Sequence, residues 1–382
     1  MKKIITALLA VSLLVPSLIS SAGAVTGSPS TINAGACILM EKETGTVLYE
    51  ENADTQLEPA SVTKVMTLLL IFEALDSGRF TLDDMVTVSA HAASMGGSQV
   101  FLEENEQMSV NDMLKAIVVS SGNDACVAMA EFIAGSEEGF VSMMNQRAQE
   151  LGMVNTTFKN CTGLPAAGHV TTARDIAIMS RELILNHPAI RNYSTIWMDS
   201  LRDGAFQLAN TNKLIRFYQG ATGLKTGSTD SALYCLSATA ERDGMELIAV
   251  ILKAPTSSQR FETAKSLLDF GFANYELVDI FPSEALAPVD VTLGESSTVQ
   301  PVLQASSKLL VDKSQKNSIT TDVTLSDTVT APVAEGQVLG EVTVSVDGEV
   351  RQTIPIVAAT AVNRLTIPGI FKNFMYSLFS GN

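Results

Sequence analysis

Leu57-Glu58-Pro59-Ala60-Ser61-Val62-Thr63-Lys64-Val65-Met66-Thr67-Leu68-Leu69-Leu70-Ile71-Phe72-Glu73-Ala74-Leu75 places Val65, Leu68, Leu69, Phe72 and Leu75 at the spacing of one helical face. The pattern predicts a helix over residues 61–77, opened by Ser61. Upstream, residues 36–40 and 41–49 read as strand, turn and strand. Downstream, helical periodicity recurs over 110–133, with an interruption at 120–123, and again over 138–151, 172–185 and 258–270. Two β-prone runs, 232–240 and 246–252, are separated by Arg242-Asp243-Gly244, a hairpin signature. Strands at both ends of a helical middle predict an antiparallel sheet with helices segregated around it, an α+β domain over residues 33–278.

Beyond Val278 the texture changes to short β-prone runs at 289–293, 308–312, 319–325, 339–346 and 352–358, broken by Gly, Ser and Asp. Even spacing with turn residues predicts a small all-β sandwich over residues 283–361, after a boundary at Pro282-Ser283. No chemistry is legible there, and a spacer or partner-binding module is expected. At the C-terminus, 364–382, the stripe Ile367, Ile370, Phe371, Phe374, Met375, Leu378 and Phe379 faces Lys372, Asn373 and Ser377. That amphipathic helix is too short to cross roughly 30 Å of hydrocarbon but suits a membrane surface, or else docks on its own domain. At the N-terminus, Lys2 and Lys3 precede an apolar run ending in Ala22-Gly23-Ala24, which predicts a signal peptide over residues 1–24 and export from the cytoplasm.

Of the 382 residues 46% are hydrophobic and 17% charged, a globular balance sufficient for two cores. The net charge of -16 argues against a nucleic-acid partner, because such proteins present a basic face to phosphates. Cys37, Cys126, Cys161 and Cys235 lie in strand-like or helix-like runs or beside them, and are expected as buried free thiols. His91, His169 and His187 are scattered without metal-ligand spacing, so no zinc or other cofactor is expected, and His169 reads as a surface loop residue.

Three short motifs remain. Ser61-Val62-Thr63-Lys64 opens a helix, Ser121-Gly122-Asn123 breaks one, and Lys225-Thr226-Gly227 leads into a strand. Singly each has a plain structural reading: a helix cap, a turn, and a strand entry with a solvated lysine. Together they form a nucleophilic constellation. A serine hydroxyl needs a base within hydrogen-bond reach, and Lys64 lies one helical turn beyond Ser61 on the same face. Lys64 can act as that base once burial and a second cation, Lys225, lower its proton affinity. Ser121 then relays the proton to the departing amine, and the Asn123 amide holds the substrate backbone. Backbone N–H groups of Ser61 and Ser228 are the expected donors to the anionic tetrahedral intermediate.

The same trio, with an acidic variant of its second member, marks class A β-lactamases and penicillin-binding proteins. With Leu57-Glu58-Pro59-Ala60 before it, Asp124-Ala125 after the second motif, Gly223-Leu224 before the third, Phe158-Lys159-Asn160, Thr162-Gly163-Leu164 and residues 267–272, the chain resembles the low-molecular-mass penicillin-binding proteins of the D-alanyl-D-alanine carboxypeptidase family, peptidase family S11. The resemblance covers nearly the whole mature chain, and residues 95–102 look like those of Gram-positive, spore-forming bacteria. It implies a transpeptidase-like α+β domain, a β-rich C-terminal domain and a terminal amphipathic anchor. It also implies peptidoglycan stem peptides as substrate, β-lactams as covalent inhibitors, and a station on the outer face of the cytoplasmic membrane. Carried over residue by residue, Thr226 and Arg260 receive the substrate's terminal carboxylate, beside Lys225 and Gly227 on the strand edge. Two departures bear on substrate preference: Ser228 stands where relatives often carry a bulkier side chain, and Cys161 interrupts Asn160 and Thr162 at the lip of the expected site.

Two rivals share the acyl-enzyme. A β-lactamase needs a glutamate-activated water, and Glu182-Leu183-Ile184-Leu185-Asn186 matches that spacing, but it reads as the last turn of a helix rather than a loop. A DD-endopeptidase differs only in cutting cross-links. A non-catalytic wall-binding protein is disfavoured, because binding alone does not require nucleophile and base together.

Overall fold

The computed structural model describes residues 27–280, 286–304 and 308–369. The expected signal at 1–24, the boundary at Pro282-Ser283 and the terminal apolar stripe from Ile370 onward lie outside them. The chain divides into two compact units, one of residues 27–285 with 306–317 and one of the remainder.

The larger unit is built on a five-stranded sheet: β1 (Ala36–Glu41), β2 (Val47–Glu51), β3 (Ala221–Thr229), β4 (Leu233–Arg242) and β5 (Met245–Ala254), in the order β2-β1-β5-β4-β3. All neighbours are antiparallel. The β1–β5 pairing, Ile38 opposite Val250, joins chain segments more than two hundred residues apart. Met245-Glu246-Leu247-Ile248-Ala249-Val250-Ile251-Leu252 is buried throughout because both sheet faces are covered. Ile248, Val250 and Leu252 face the larger core with Ile38 and Met40, whereas Leu247, Ala249 and Ile251 face a second core with Cys37 and Leu39. At Arg242-Asp243-Gly244 the turn places Asp243 and Gly244 at φ of 51 and 77, as the hairpin signature requires.

Among the described residues six longer helices surround the sheet: α1 (Lys64–Asp76), α2 (Val110–Val119), α3 (Asn123–Ala134), α4 (Glu137–Glu150), α5 (Ala173–Asn186) and α6 (Ser257–Asn274). Four of them start where a hydroxyl accepts a first-turn N–H: Ser109 for α2, Ser136 for α4, Thr172 for α5 and Thr256 for α6. The α1 segment differs in detail from the periodic reading. Ala60–Thr63 is a tight 3-10 turn, the α-helix begins at Lys64, and residues 64–72 are all buried, the mark of a helix at the centre of its core. Helix α6 covers the second core. Its Gly271 has no room for a side chain, since a Cβ there would lie 2.5 Å from Leu247 Cδ1.

The smaller unit is β-rich. Thr298–Val299, Val289–Thr292 and Thr328–Thr330 form one sheet, and Pro301–Leu303, Glu349–Ala358, Val338–Val346 and Ile319–Leu325 another. Inward residues Val289, Val291, Val299, Leu339 and Ala358 share one core with Val333 and Val362. Lys308–Asp312, grouped by its β texture with this unit, instead pairs antiparallel with Tyr275–Asp279 and belongs to the larger one. That pairing sets Asp279 opposite Lys308 across the intervening chain, a partnership that texture does not report.

Candidate active site

The start of α1 is held from two sides by glycines. Ala60 adopts φ of 48, turning the chain so that Ser61 follows in the 3-10 turn. Gly163, at φ of +84, lies so close that a Cβ would stand 1.9 Å from the Ala60 carbonyl oxygen. On the other side a Cβ on Gly227 of β3 would stand 2.7 Å from the Ser61 nitrogen and 2.9 Å from Pro59 O. Only glycine allows both backbones this approach.

Lys64, fully buried, reaches three oxygens: Ser61 Oγ at 3.1 Å, Asn123 Oδ1 at 2.6 Å and the Thr162 carbonyl at 2.6 Å. Burial lowers its proton affinity below the ordinary lysine value, opposed by the Cys126 and Cys161 thiols and Asp124. Lys225 is 1 % exposed, and burial, then the charges of Lys64 and Arg260, hold it well below the ordinary value. Its Nζ donates to the Thr226 carbonyl at 3.0 Å. Ser121 sits at φ of 63 with its Oγ buried and without a hydrogen-bond partner. Such an orphaned hydroxyl carries a free-energy penalty unless something else uses it.

Asn123 is engaged at both ends, its Oδ1 with Lys64 and its Nδ2 donating to Gly96 O at 2.7 Å. Its neighbour Asp124 accepts the Val100 N–H at 3.0 Å and the Leu102 N–H at 3.1 Å, which shapes residues 96–102 around the second motif. On β3, Thr226 donates to Thr211 Oγ1 at 2.6 Å, and Ser228 is exposed. Arg260, on α6, donates from Nη1 to Gly227 O at 3.1 Å and Cys235 O at 3.2 Å, and from Nη2 to Ser257 Oγ at 3.3 Å.

The structure thus gathers Ser61 and Lys64 with Asn123 directly, and places Lys225, Thr226, Gly227 and Ser228 on the strand beside them. Thr162, Gly96, Asp124 and Thr211 also shape the site but were not legible as such. Three of those four act through or upon backbone atoms, which residue identity does not encode. Cys161 is buried rather than at the lip, and its carbonyl accepts from Thr67 Oγ1 and from the Cys126 thiol. Cys37, Cys126, Cys161 and Cys235 are all free and buried.

His169 corrects the surface reading. It is 3 % exposed and bridges two segments: the Lys159 N–H donates to its Nδ1 at 3.3 Å, so Nε2 carries the proton and donates to Thr63 Oγ1 at 2.9 Å. Burial pushes the imidazole down to about 4, with Glu58 acting the other way. The unfolded chain therefore binds a proton near pH 6.5 that the folded chain refuses. Stability from this site is full above pH 6.5 and is lost as pH falls toward 4, by about 3 kcal/mol. Denaturant unfolding between pH 7 and 4 is expected to show that slope, and His169→Gln to flatten it.

Glu182 lies on α5 and accepts from Arg147 Nη2 at 2.7 Å, so the lactamase-like spacing is part of a helix anchored to α4. Among the described residues no group of three or more His, Cys, Asp or Glu side chains is placed to hold a metal.

Residues 23–256 match the family model described as D-alanyl-D-alanine carboxypeptidase, and residues 275–364 that of the penicillin-binding protein 5 C-terminal domain. The chain is 45% identical over 330 residues to the Bacillus subtilis D-alanyl-D-alanine carboxypeptidase DacF, covering 85% of each. It is 36% identical over 339 residues to the Escherichia coli carboxypeptidase DacC, covering 86% of this chain and 84% of that one. Penicillin-binding protein 5 of Haemophilus influenzae superposes with a TM-score of 0.77 at 31% identity, over 88% of this chain and all of that one. An ampicillin-bound penicillin-binding protein D2 of Listeria monocytogenes matches at 33% identity and a TM-score of 0.58, over 63% of this chain and 98% of that one. With a catalytic domain and a β-rich domain that both match, the chain belongs to the S11 family of serine D-alanyl-D-alanine carboxypeptidases.

Proposed function

We propose that this carboxypeptidase removes the terminal D-alanine of peptidoglycan stem pentapeptides through an ester on Ser61. The observation that carries the reading is Lys64 Nζ at 3.1 Å from Ser61 Oγ in a fully buried setting. A neutral Lys64 amine has two N–H groups and one lone pair. The two N–H groups satisfy Asn123 Oδ1 and Thr162 O, and the lone pair is left for the Ser61 hydroxyl proton. As that proton leaves, Ser61 Oγ bonds the penultimate D-alanine carbonyl, and the Ser61 and Ser228 N–H groups receive the developing oxyanion. Ser121, whose buried hydroxyl has no hydrogen-bond partner in the free protein, then gives its proton to the amine of the departing D-alanine and takes the one held by Lys64. The ester is then hydrolysed by water, which releases the tetrapeptide and restores Ser61.

Burial lowers the proton affinity of Lys64 and so favours the neutral amine, while Lys225 and the Thr226 hydroxyl, adjacent on β3, receive the substrate's terminal carboxylate. Asn123 Nδ2 exchanges Gly96 O for a substrate carbonyl as the peptide enters. β-Lactams acylate the same Ser61. A defined stem pentapeptide incubated with and without an amine acceptor is expected to yield D-alanine and tetrapeptide in both cases. A transpeptidation product dominating whenever the amine is present would overturn the hydrolytic reading.

The same reading places the enzyme at the outer face of the cytoplasmic membrane, with residues 1–24 removed and residues 364–382 lying on the lipid surface. The terminal apolar stripe supports it, as does Ile367, 83% exposed. Among the described residues no helix is long and apolar enough to cross a membrane. Sedimentation with phospholipid vesicles is expected for the chain ending at Asn382 and not for one ending at Asn363; equal sedimentation of both would remove the anchor.

A further inference from the structure

Arg260 is 6% exposed, yet its side chain is spent on backbone rather than on a counter-ion. Its Nη1 donates to Gly227 O at 3.1 Å and Cys235 O at 3.2 Å, tying β3 to β4, while Nε has no acceptor. Burial lowers the guanidinium to about 10, so it stays charged at neutral pH, and its electrostatic neighbours are the Cys235 thiol and the Tyr234 phenol instead of a carboxylate. A buried cation without an anionic partner is a costly feature to keep for hairpin stability alone.

The carbonyl it grips belongs to the peptide joining Gly227 to Ser228. In a trans peptide the C=O and the following N–H point in opposite directions. With Gly227 O turned toward Arg260, the Ser228 N–H points away from it. Gly227, the other half of this peptide, approaches Ser61 so closely that a Cβ would stand 2.7 Å from its nitrogen. The guanidinium therefore acts on one end of an amide whose other end serves the oxyanion.

We infer that Arg260 is a positioning residue for the oxyanion hole: it fixes the Gly227–Ser228 peptide plane and, by drawing electrons toward Gly227 O, strengthens the Ser228 N–H as a donor. This rests on the reading of Ser61 as nucleophile and the Ser228 N–H as oxyanion donor. Polarisation passes along a hydrogen-bonded amide in a medium of low dielectric, where it is strongest. Family resemblance implies a different role for Arg260, direct capture of the substrate's terminal carboxylate.

Two thioester acyl donors with the same acyl group separate the roles, one with thioglycolate as leaving group and one with its uncharged methyl ester. Arg260→Gln is expected to lower the acylation rate on both donors by a similar factor, roughly 10- to 100-fold, below the full loss of an oxyanion donor. The carbonyl stretch of the Ser61 acyl-enzyme, read by infrared difference spectroscopy, is expected to move to higher wavenumber as its hydrogen bonding weakens. Loss confined to the carboxylate-bearing donor with an unmoved stretch would overturn the inference in favour of direct capture, and unchanged rates on both donors would overturn it outright. Should Arg260→Gln lack a cooperative melt, Arg260→Lys, which keeps the charge without the fork, is expected to lose less, again equally on both donors. Mass mapping of the wild-type acyl group keeps the two readings apart. An adduct away from Ser61 refutes the nucleophile, whereas an adduct on Ser61 with an unmoved stretch refutes only the role of Arg260.

Discussion

Ser61→Ala is expected to abolish D-alanine release from a stem pentapeptide, by about 10⁴-fold or more, while leaving the thermal midpoint close to wild type. The size of the effect follows from the absence of a substitute. Lys64 is close enough to accept a proton only from Ser61 Oγ, and Ser121 Oγ has no hydrogen-bonded base of its own. Stability is spared because the hydroxyl is half-buried and makes no bond that holds α1 in place. That work falls to the Ala60–Thr63 turn and to the glycines packed against it. Retained melting with lost release separates chemistry from folding. Undiminished release would refute the mechanism.

Gly227→Ala is the second substitution with a large expected effect. The added methyl would meet Ser61 N at 2.7 Å and Pro59 O and Val62 N at 2.9 Å, all backbone atoms that cannot rotate away. Either β3 or the turn before α1 must move, and both expected oxyanion donors lie along that contact. A loss of about 10²- to 10³-fold in acylation is expected, the range seen when one such donor is removed. Benzylpenicillin acylation measured by stopped flow checks it, alongside a melting curve. An acylation rate within threefold of wild type would show that the Gly227 approach does not set the oxyanion geometry.

What could be read from the sequence follows from what the chemistry demands. Ser61, Lys64, Ser121, Asn123 and Lys225, the residues of the proposed mechanism, are singled out by residue types and spacings that suit nucleophilic chemistry, and the structure brings Ser61, Lys64 and Asn123 into hydrogen-bond contact. The central sheet was partly legible: the apolar run of β5 and its hairpin signature gave two strands, but nothing local joins β1 to β5 across the chain. His169 sits in a loop and reads as exposed, whereas its fate is decided by Thr63, 106 residues away. Arg260 likewise has an unremarkable helical context, and its grip on Gly227 O depends on how α6 packs behind the sheet. Thr162 matters through its carbonyl, which any residue would supply, and so leaves no trace in composition.

The lactamase rival also turns on context. Glu182 has the right neighbours in sequence, but α5 carries it to Arg147 instead of the Ser61 ester. The acyl-enzyme formed with a penicillin is therefore expected to persist. The most direct test of the account is the mass of the intact protein after brief exposure to benzylpenicillin, followed by proteolysis to locate the adduct. The account predicts one long-lived penicilloyl group on the peptide containing Ser61, absent from Ser61→Ala; an adduct on another residue, or rapid turnover of the drug with no adduct, would contradict it.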